Sequence, residues 1–471
     1  MSHPSHASPS RTVDVAVLGA GTAGLAAYRA AIAAKKTAVL VERGPYGTTC
    51  ARVGCMPSKL LIAAAEAAHH ARHAGPFGVH TDVRVNGREV MARVKRERDR
   101  FVGFVLEGVD AIAQEDKLRG HARFVGPHEI VVGDERIHAS AVVLATGSTP
   151  VVAPMFEALG DRMVVNDDVF AWDTLPASVA VFGAGVIGLE LGQALSRLGV
   201  RVRIFGRNGG IGGLTDPAVK ASALAAFQEE LTIDIDASIK SVKRSGDQVL
   251  VCFVEKDGRE QTERFEYALV AAGRRPNLAS LGLEHAGIEL SPSGLPHHDR
   301  HTLECGTSHV FLAGDASNDV PLLHEAADEG RIAGENAARF PDVTRGERRS
   351  LLAVVFSEPQ LAVAGARFAD LPKERAWVTG EVNFRDQGRS RVMLQNKGLL
   401  HVYADQATGR FLGAEMAGPR VEHLAHLLAW AHQRGETVAE MLEKPFYHPV
   451  IEEGLRTALR DAAAKLTHPT K

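Results

Sequence analysis

Across 471 residues, hydrophobic side chains make up 45% and charged ones 24%, the make-up of a soluble globular chain of about three domains. A net charge of −3 gives no electrostatic case for nucleic acid or an anionic membrane as partner. No apolar run reaches the roughly 18 residues of a membrane span, and the low cysteine count, four, without an export signal points to a reducing cytoplasm.

Residues 1–11, MSHPSHASPSR, are polar, lack the apolar core of a signal peptide and are expected to form a disordered arm. Val13 to Leu18 reads as a short apolar strand, and Gly19-Ala20-Gly21-Thr22-Ala23-Gly24 follows at once. An alanine-rich helix to about Ala34 and a strand from Thr37 to Val41 complete a βαβ unit. Gly19 permits the tight turn, Gly21 lets the backbone approach a pyrophosphate, and Gly24 lets helix and strand pack closely. Glu42 ends the second strand, where an acid accepts bonds from a ribose diol. A plain packing turn is the competing reading of the glycines.

Next comes Gly47-Thr48-Thr49-Cys50-Ala51-Arg52-Val53-Gly54-Cys55-Met56-Pro57-Ser58-Lys59. Half of the cysteines stand here, five positions apart. Closing so small a loop constrains the unfolded chain little, so a structural staple is a poor use of the pair and a redox role fits better. Two buried thiols or half a metal site are the alternatives; the latter lacks a second Cys or His pair at zinc-ligand spacing. A helix to about His73 follows, and its His69, His70 and His73 are expected at an exposed helix end rather than on a metal.

The stretch resembles the redox motif of the flavin-dependent pyridine nucleotide–disulfide oxidoreductases, class I, with dihydrolipoamide dehydrogenases nearest. The resemblance implies that Cys50 exchanges with a dithiol or disulfide substrate while Cys55 lies against the flavin as a thiolate. It also implies FAD contacts at Thr49 and Lys59, with Lys59 near flavin N5 and paired with Glu190.

A charged amphipathic helix from Val90 to about Gln114 and short strands lead to Val142-Val143-Leu144-Ala145-Thr146-Gly147-Ser148. This resembles the family's ATG motif, which implies that Thr146, Gly147 and Ser148 lie beneath the flavin. A proline-bearing linker introduces a second copy of the opening pattern. Its strand is Val179 to Phe182, its turn Gly183-Ala184-Gly185-Val186-Ile187-Gly188, and its helix Leu189 to Leu198. Two such units 164 residues apart imply two dinucleotide sites, one for FAD and one for a nicotinamide.

Glu42 lies 18 residues after Gly24, and the same step from Gly188 lands on Gly206. The second site therefore lacks the acid that bonds the NAD 2′-hydroxyl. Arg207 follows, with Arg201 and Arg203 on the same strand, and arginine accommodates the 2′-phosphate of NADP. The expectation is NADP, against the alternative that these arginines are solvated and NAD binds without an acid. The dihydrolipoamide dehydrogenases usually carry the acid and use NAD, so the chain departs from its family here.

Alternating residues from Val249 to Val254 place Cys252 as a small core residue, and Cys305 stands beside Gly306 in a loop without a visible partner. Ala272-Gly273-Arg274-Arg275-Pro276-Asn277 looks like the family's exit from the nicotinamide domain, with Gly273 at the cofactor. Val310-Phe311-Leu312-Ala313-Gly314-Asp315 resembles the second FAD motif, in which Asp315 bonds the ribityl chain. Leu322, Leu323 and His324 match the segment beneath the isoalloxazine.

After about Arg348 the pattern changes to an antiparallel sheet, with helices at about Val421 to Arg434 and Val438 to Leu442, resembling the family's dimerisation domain. Phe446-Tyr447-His448-Pro449-Val450-Ile451-Glu452-Glu453 matches the catalytic His–Glu motif, here His448 with Glu453. The imidazole moves a proton between substrate thiol and solvent, and the glutamate fixes its tautomer. In the family this histidine reaches the redox pair of the other subunit.

The expected architecture is α/β, with two Rossmann-like domains and an α+β C-terminal domain. Its boundaries fall at 12–150 (FAD, first segment), 151–275 (NAD(P)), 276–348 (FAD, second segment) and 349–471 (dimerisation). The expected protein is an FAD-containing homodimer acting on a small dithiol or disulfide or on a lipoyl domain. Pro57-Ser58-Lys59 favours dihydrolipoamide. The alternatives are an NADPH-dependent reductase of another disulfide and a non-catalytic flavoprotein scaffold. A mercuric reductase fits less well, because Ala462 to Lys471 holds no cysteine pair and no N-terminal metal-binding domain is present.

Overall fold

The computed structural model describes residues 10–255 and 257–466, so most of the expected N-terminal arm lies outside the described residues. Ser10 and Arg11, expected in that arm, instead begin the first strand, Ser10–Leu18, where they lie opposite Arg136 and Ile137. The chain divides into two compact units.

Among the described residues the first unit comprises 10–57, 95–151 and 274–348. Its seven-stranded sheet is ordered Lys117–Arg119, Ala38–Glu42, Ser10–Leu18, Glu135–Leu144, Glu129–Val132, Ala122–Gly126, and Val310–Leu312 also pairs with Glu135–Leu144. The first four of these strands run parallel, and Val310–Leu312 joins them in the same sense opposite Val142–Leu144. Val15 to Val17 and Val142 to Leu144 are wholly buried, as the central strands of a sheet covered on both faces must be. The Thr22–Ala33 and Leu323–Arg339 helices pack backbone to backbone on this sheet. A Cβ on Gly330 would strike the Ala23 backbone, so only glycine permits that approach.

Among the described residues the second unit comprises 58–94, 152–255, 257–273 and 349–466. A parallel sheet, Thr232–Asp234, Arg201–Phe205, Ser178–Phe182, Tyr267–Val270, Met163–Val164, carries the Val186–Arg197 helix directly after Gly185. Beside it stands the antiparallel sheet Ser238–Ser245, Gln248–Val254, Glu260–Phe265. In the middle strand Val249, Val251 and Phe253 point into the core. Cys252 therefore falls on the outer face, where its thiol lies 3.1 Å from Glu260 Oε1, and the expectation of a core cysteine is corrected. Alternation always offers two faces, and the residue's apolarity had suggested the wrong one.

The C-terminal part is a five-stranded antiparallel sheet, ordered Leu352–Val355, Gln360–Gly365, Phe411–Gly418, Leu399–Asp405, Trp377–Asn383. The Val421–Arg434 and Glu452–Lys465 helices bury Leu424, Leu428, Leu455 and Leu459 against it. No helix among the described residues is long and apolar enough to cross a membrane.

Candidate active site

In the first unit, Cys50 lies in the short Thr49–Val53 helix, and Cys55 begins the Cys55–Arg72 helix after a break at Gly54. Cys50 is half-buried and Cys55 exposed. Nearby in the same unit is a solvent-open cleft of about 210 Å³, lined by Gly19 to Gly21, Glu42, Thr48, Thr49, Arg52, Thr146 and Gly147, among others. Its construction fits an adenine dinucleotide. Nothing lies where a Cβ on Gly21 would stand, which leaves room for a phosphate. Glu42 accepts the Ala20 and Gly44 amides at 2.8 and 2.6 Å, so its carboxylate is fixed at the cleft wall. Thr146 Oγ1 is buried without a partner among the described residues and faces the need for one.

At the other end of the same motifs, Ser148 Oγ donates to Asp315 Oδ2 at 2.7 Å, so the two FAD segments meet at residues assigned from sequence to the flavin. Two residues that sequence reasoning left without a role hold this junction. Arg274 Nε donates to Ser148 Oγ at 2.8 Å, and Asn277 Nδ2 donates to the Thr146 carbonyl at 3.1 Å. Both stand in the quoted exit motif, which was the available signal. Leu322 caps and Leu323 begins the Leu323–Arg339 helix, and His324 Nε2 is buried with no partner among the described residues.

In the second unit, Lys59 Nζ lies 2.8 and 3.0 Å from the two oxygens of Glu190. Glu190 also accepts the Phe356 amide at 3.0 Å, and the Lys59 ammonium sits 4.7 Å above the Phe356 ring. A carboxylate only 5% exposed is thus fully partnered. The helix carrying Lys59 does not end as expected. The His69 side chain is only 17% exposed and lies 3.6 Å from Glu230, in a cluster with Arg197 and Glu358. Burial, then the neighbouring Arg197 charge, lowers its pKa to about 4, so His69 is a neutral packed residue rather than part of an exposed end.

The second glycine turn repeats the backbone of the first: Gly19 has φ +109° and Gly183 +121°, and both lie against the carbonyl of a following strand end. A Cβ on Gly185 or on Gly273 would meet nothing within 4 Å, whereas one on Gly188 would strike the Gly183 carbonyl. Gly206 ends the Arg201–Phe205 strand, and a Cβ there would stand 2.6 Å from Ile235 Cα. Backbone packing therefore excludes an acid at this position. Of the three arginines, two are already engaged. Arg201 is 3.3 Å from Glu263, and Arg203 is 3.2 Å from Glu255 and 4.2 Å from the centre of the Phe253 ring. They brace the neighbouring sheet, which corrects their expected part in phosphate recognition. Arg207 is exposed and makes no ion pair with a described residue.

His448 and Glu453 meet at the start of the last helix. Nδ1 lies 3.1 and 3.0 Å from the two carboxylate oxygens. A carboxylate only accepts, so Nδ1 carries the proton and Nε2 is left as the acceptor on a side chain 80% exposed. Foremost the bond from His448, with the Val450 amide and Arg456 adding to it, holds Glu453 below the usual carboxylate range.

The family model described as pyridine nucleotide-disulphide oxidoreductase matches residues 13–330, and the model of that family's dimerisation domain matches residues 352–459. The chain belongs to the pyridine nucleotide-disulphide oxidoreductases. It is a class I member close to dihydrolipoamide dehydrogenase. Dihydrolipoyl dehydrogenases of Halobacterium salinarum and Haloferax volcanii are 30% and 31% identical to it, each over 97% of both chains. Among solved structures, LpdA from Mycobacterium tuberculosis is 25% identical with a TM-score of 0.81, covering 96% of this chain and 99% of that one. RclA from Escherichia coli, a HOCl-induced flavoprotein disulfide reductase solved as its Cu(II) complex, shares the fold at 21% identity and a TM-score of 0.79, with the same coverage. As a pyridine nucleotide-disulphide oxidoreductase the protein is an FAD-dependent enzyme using NAD(P), with two dinucleotide-binding domains and a C-terminal dimerisation domain.

Proposed function

We propose that the protein is a homodimeric dihydrolipoamide dehydrogenase of the cytoplasm, oxidising dihydrolipoamide or a lipoyl domain and reducing NADP. The observation that carries the dithiol chemistry is the His448–Glu453 pair, whose geometry leaves Nε2 exposed as a proton acceptor. The lipoyl substrate is supported by Pro57-Ser58-Lys59 and by the names of relatives matching end to end. The dimer is supported by the matched dimerisation domain and by Leu427 and Trp430, which stand exposed on the Val421–Arg434 helix.

In this reading a substrate thiol gives its proton to Nε2 of His448 of the partner subunit, and the thiolate attacks Cys50 Sγ. The Cys50–Cys55 bond of the oxidised enzyme breaks, and Cys55 leaves as a thiolate. The second substrate thiol attacks the substrate sulfur of the mixed disulfide, lipoamide departs, and Cys50 leaves as a thiol carrying that second proton. Glu453 holds the imidazolium while the proton is carried. Glu42, Thr49, Thr146 to Ser148 and Asp315 would hold FAD, which would supply the two-electron transfer between the enzyme dithiol and the nicotinamide. Lys59, paired with Glu190, supplies the cation that the resemblance puts near the flavin.

The decisive experiment is kcat/KM for dihydrolipoamide oxidation with NAD and NADP side by side. Turnover confined to NADP supports the whole reading, and strong turnover with NAD removes the cofactor assignment. Negligible turnover with either, in flavin-loaded protein, rejects lipoamide. Arg207, without an ion pair to a described residue, also favours a second reading, an NADPH-dependent reductase of another small disulfide, which that last outcome would bring forward.

A further inference from the structure

Glu453 serves more than His448. Its Oε1 is 3.1 Å from His448 Nδ1 and 3.1 Å from Arg456 Nη2, while Oε2 accepts from Nδ1 at 3.0 Å and from the Val450 amide at 3.3 Å. Arg456 stands three residues along the Glu452–Lys465 helix, on the same face. Its guanidinium also lies 5.8 Å from the centre of the Phe446 ring, so the turn before the helix and the helix itself both fix it. The guanidinium is 32% exposed against 80% for the imidazole, so the arginine forms the protected side of the group.

We propose that Arg456 is a positioning residue that shares the Glu453 carboxylate with His448, orienting it and at the same time limiting how basic the imidazole becomes. Two effects act together. The guanidinium holds Oε1 in place by a charge-assisted bond, which restricts rotation of the carboxylate away from Nδ1. Its positive charge also opposes formation of the imidazolium across the same carboxylate. An unshared glutamate would stabilise the imidazolium more strongly and slow its loss of the proton. Glu452 precedes Glu453 on the helix, and Arg460 stands one turn beyond Arg456. From the neighbouring segment the neutral Gln387 donates to the Val450 carbonyl at 2.8 Å, with Arg385 and Asp386 just before it. Tyr447 flanks the histidine and is 80% exposed. Only Arg456 among these cations bonds the carboxylate.

The inference rests on the reading of His448 as the proton carrier, and the test separates the two. The flavin-loaded full-length protein, labelled in its histidine rings, is titrated by NMR, with His448 assigned from a His448→Gln variant. In Arg456→Met the His448 pKa is expected to rise by about half a pH unit at low ionic strength. The rise shrinks in about 0.5 M salt, which screens partly exposed charges. Arg456→Lys keeps the wild-type titration. Arg456→Gln, which retains a donor without the charge, repeats the shift should the methionine variant be poorly folded. An unmoved or lowered His448 pKa in the folded variants overturns the proposal. The acid limb of kcat/KM is measured in parallel. If the NMR pKa rises while that limb stays put, Arg456 tunes His448 as stated, and His448 is not the base in turnover.

Discussion

His401 Nδ1 lies 2.7 Å from Asp216 Oδ2 in the buried seam where the Pro217–Gln228 helix meets the C-terminal sheet. The other ring nitrogen is 2.9 Å from Glu381, and Tyr403 donates to the same Asp216 oxygen at 2.8 Å. Asp216 Oδ1 meanwhile caps the helix through the Ala218 and Val219 amides.

Burial works against a charged His401, but the bonds from Asp216 and Glu381 outweigh it and raise its pKa. A group whose pKa is raised on folding contributes stability that is full below its unfolded value, near 6.5, and is lost as pH rises through the folded value. His401→Gln is therefore expected to cost about 2 kcal/mol near pH 6 and progressively less in alkali. Chemical denaturation of both proteins across that range checks the sign. A deficit that grows with pH would contradict it.

Glu190→Gln should leave the Lys59 ammonium partly buried with only the Phe356 ring and an amide for company. Stability falls by about 1–3 kcal/mol. If Lys59 faces the flavin, its unbalanced charge makes the flavin easier to reduce. A positive shift of midpoint potential, read from dye-equilibrated spectra, is the expected result.

Arg207→Ala is expected to raise KM for NADP about tenfold, the loss of one charge-assisted contact, while leaving KM for NAD nearly unchanged. Equal effects on both cofactors would place Arg207 away from the 2′-phosphate.

Gly330→Ala inserts a methyl group into the Ala23 backbone. Overpacking of this kind costs about 1–3 kcal/mol, so thermal unfolding should begin several degrees lower and flavin should be released with it.

Much of this was legible in the sequence, where local pattern carries the information. The glycine turns with their strands and helices are local, and so are the C-terminal helices, whose bounds of Val421–Arg434 and Val438–Leu442 coincide with those expected. The pairings Lys59–Glu190 and His448–Glu453 could be read because a motif names both members, and each pair lies within hydrogen-bonding distance. What stayed hidden depends on partners distant in the chain. Nothing near Arg203 announces Glu255 or Glu263, and nothing near His69 announces Arg197 and Glu230. Arg456 was visible in principle, since a cation three residues after an acid on a helix faces it.

The contact between Gly206 and Ile235 sets a limit on redesign. Swapping the coenzyme by writing an acid into the end of one strand, the simplest edit available, would drive a side chain into the adjoining turn. The Asp234–Ala237 turn is tied to Gly206 by bonds from the Gly206 amide to Asp234 and from the Ala237 amide back to Gly206. Evolution or an engineer must therefore exchange the two segments as one cassette, and single substitutions at the strand end are a dead end.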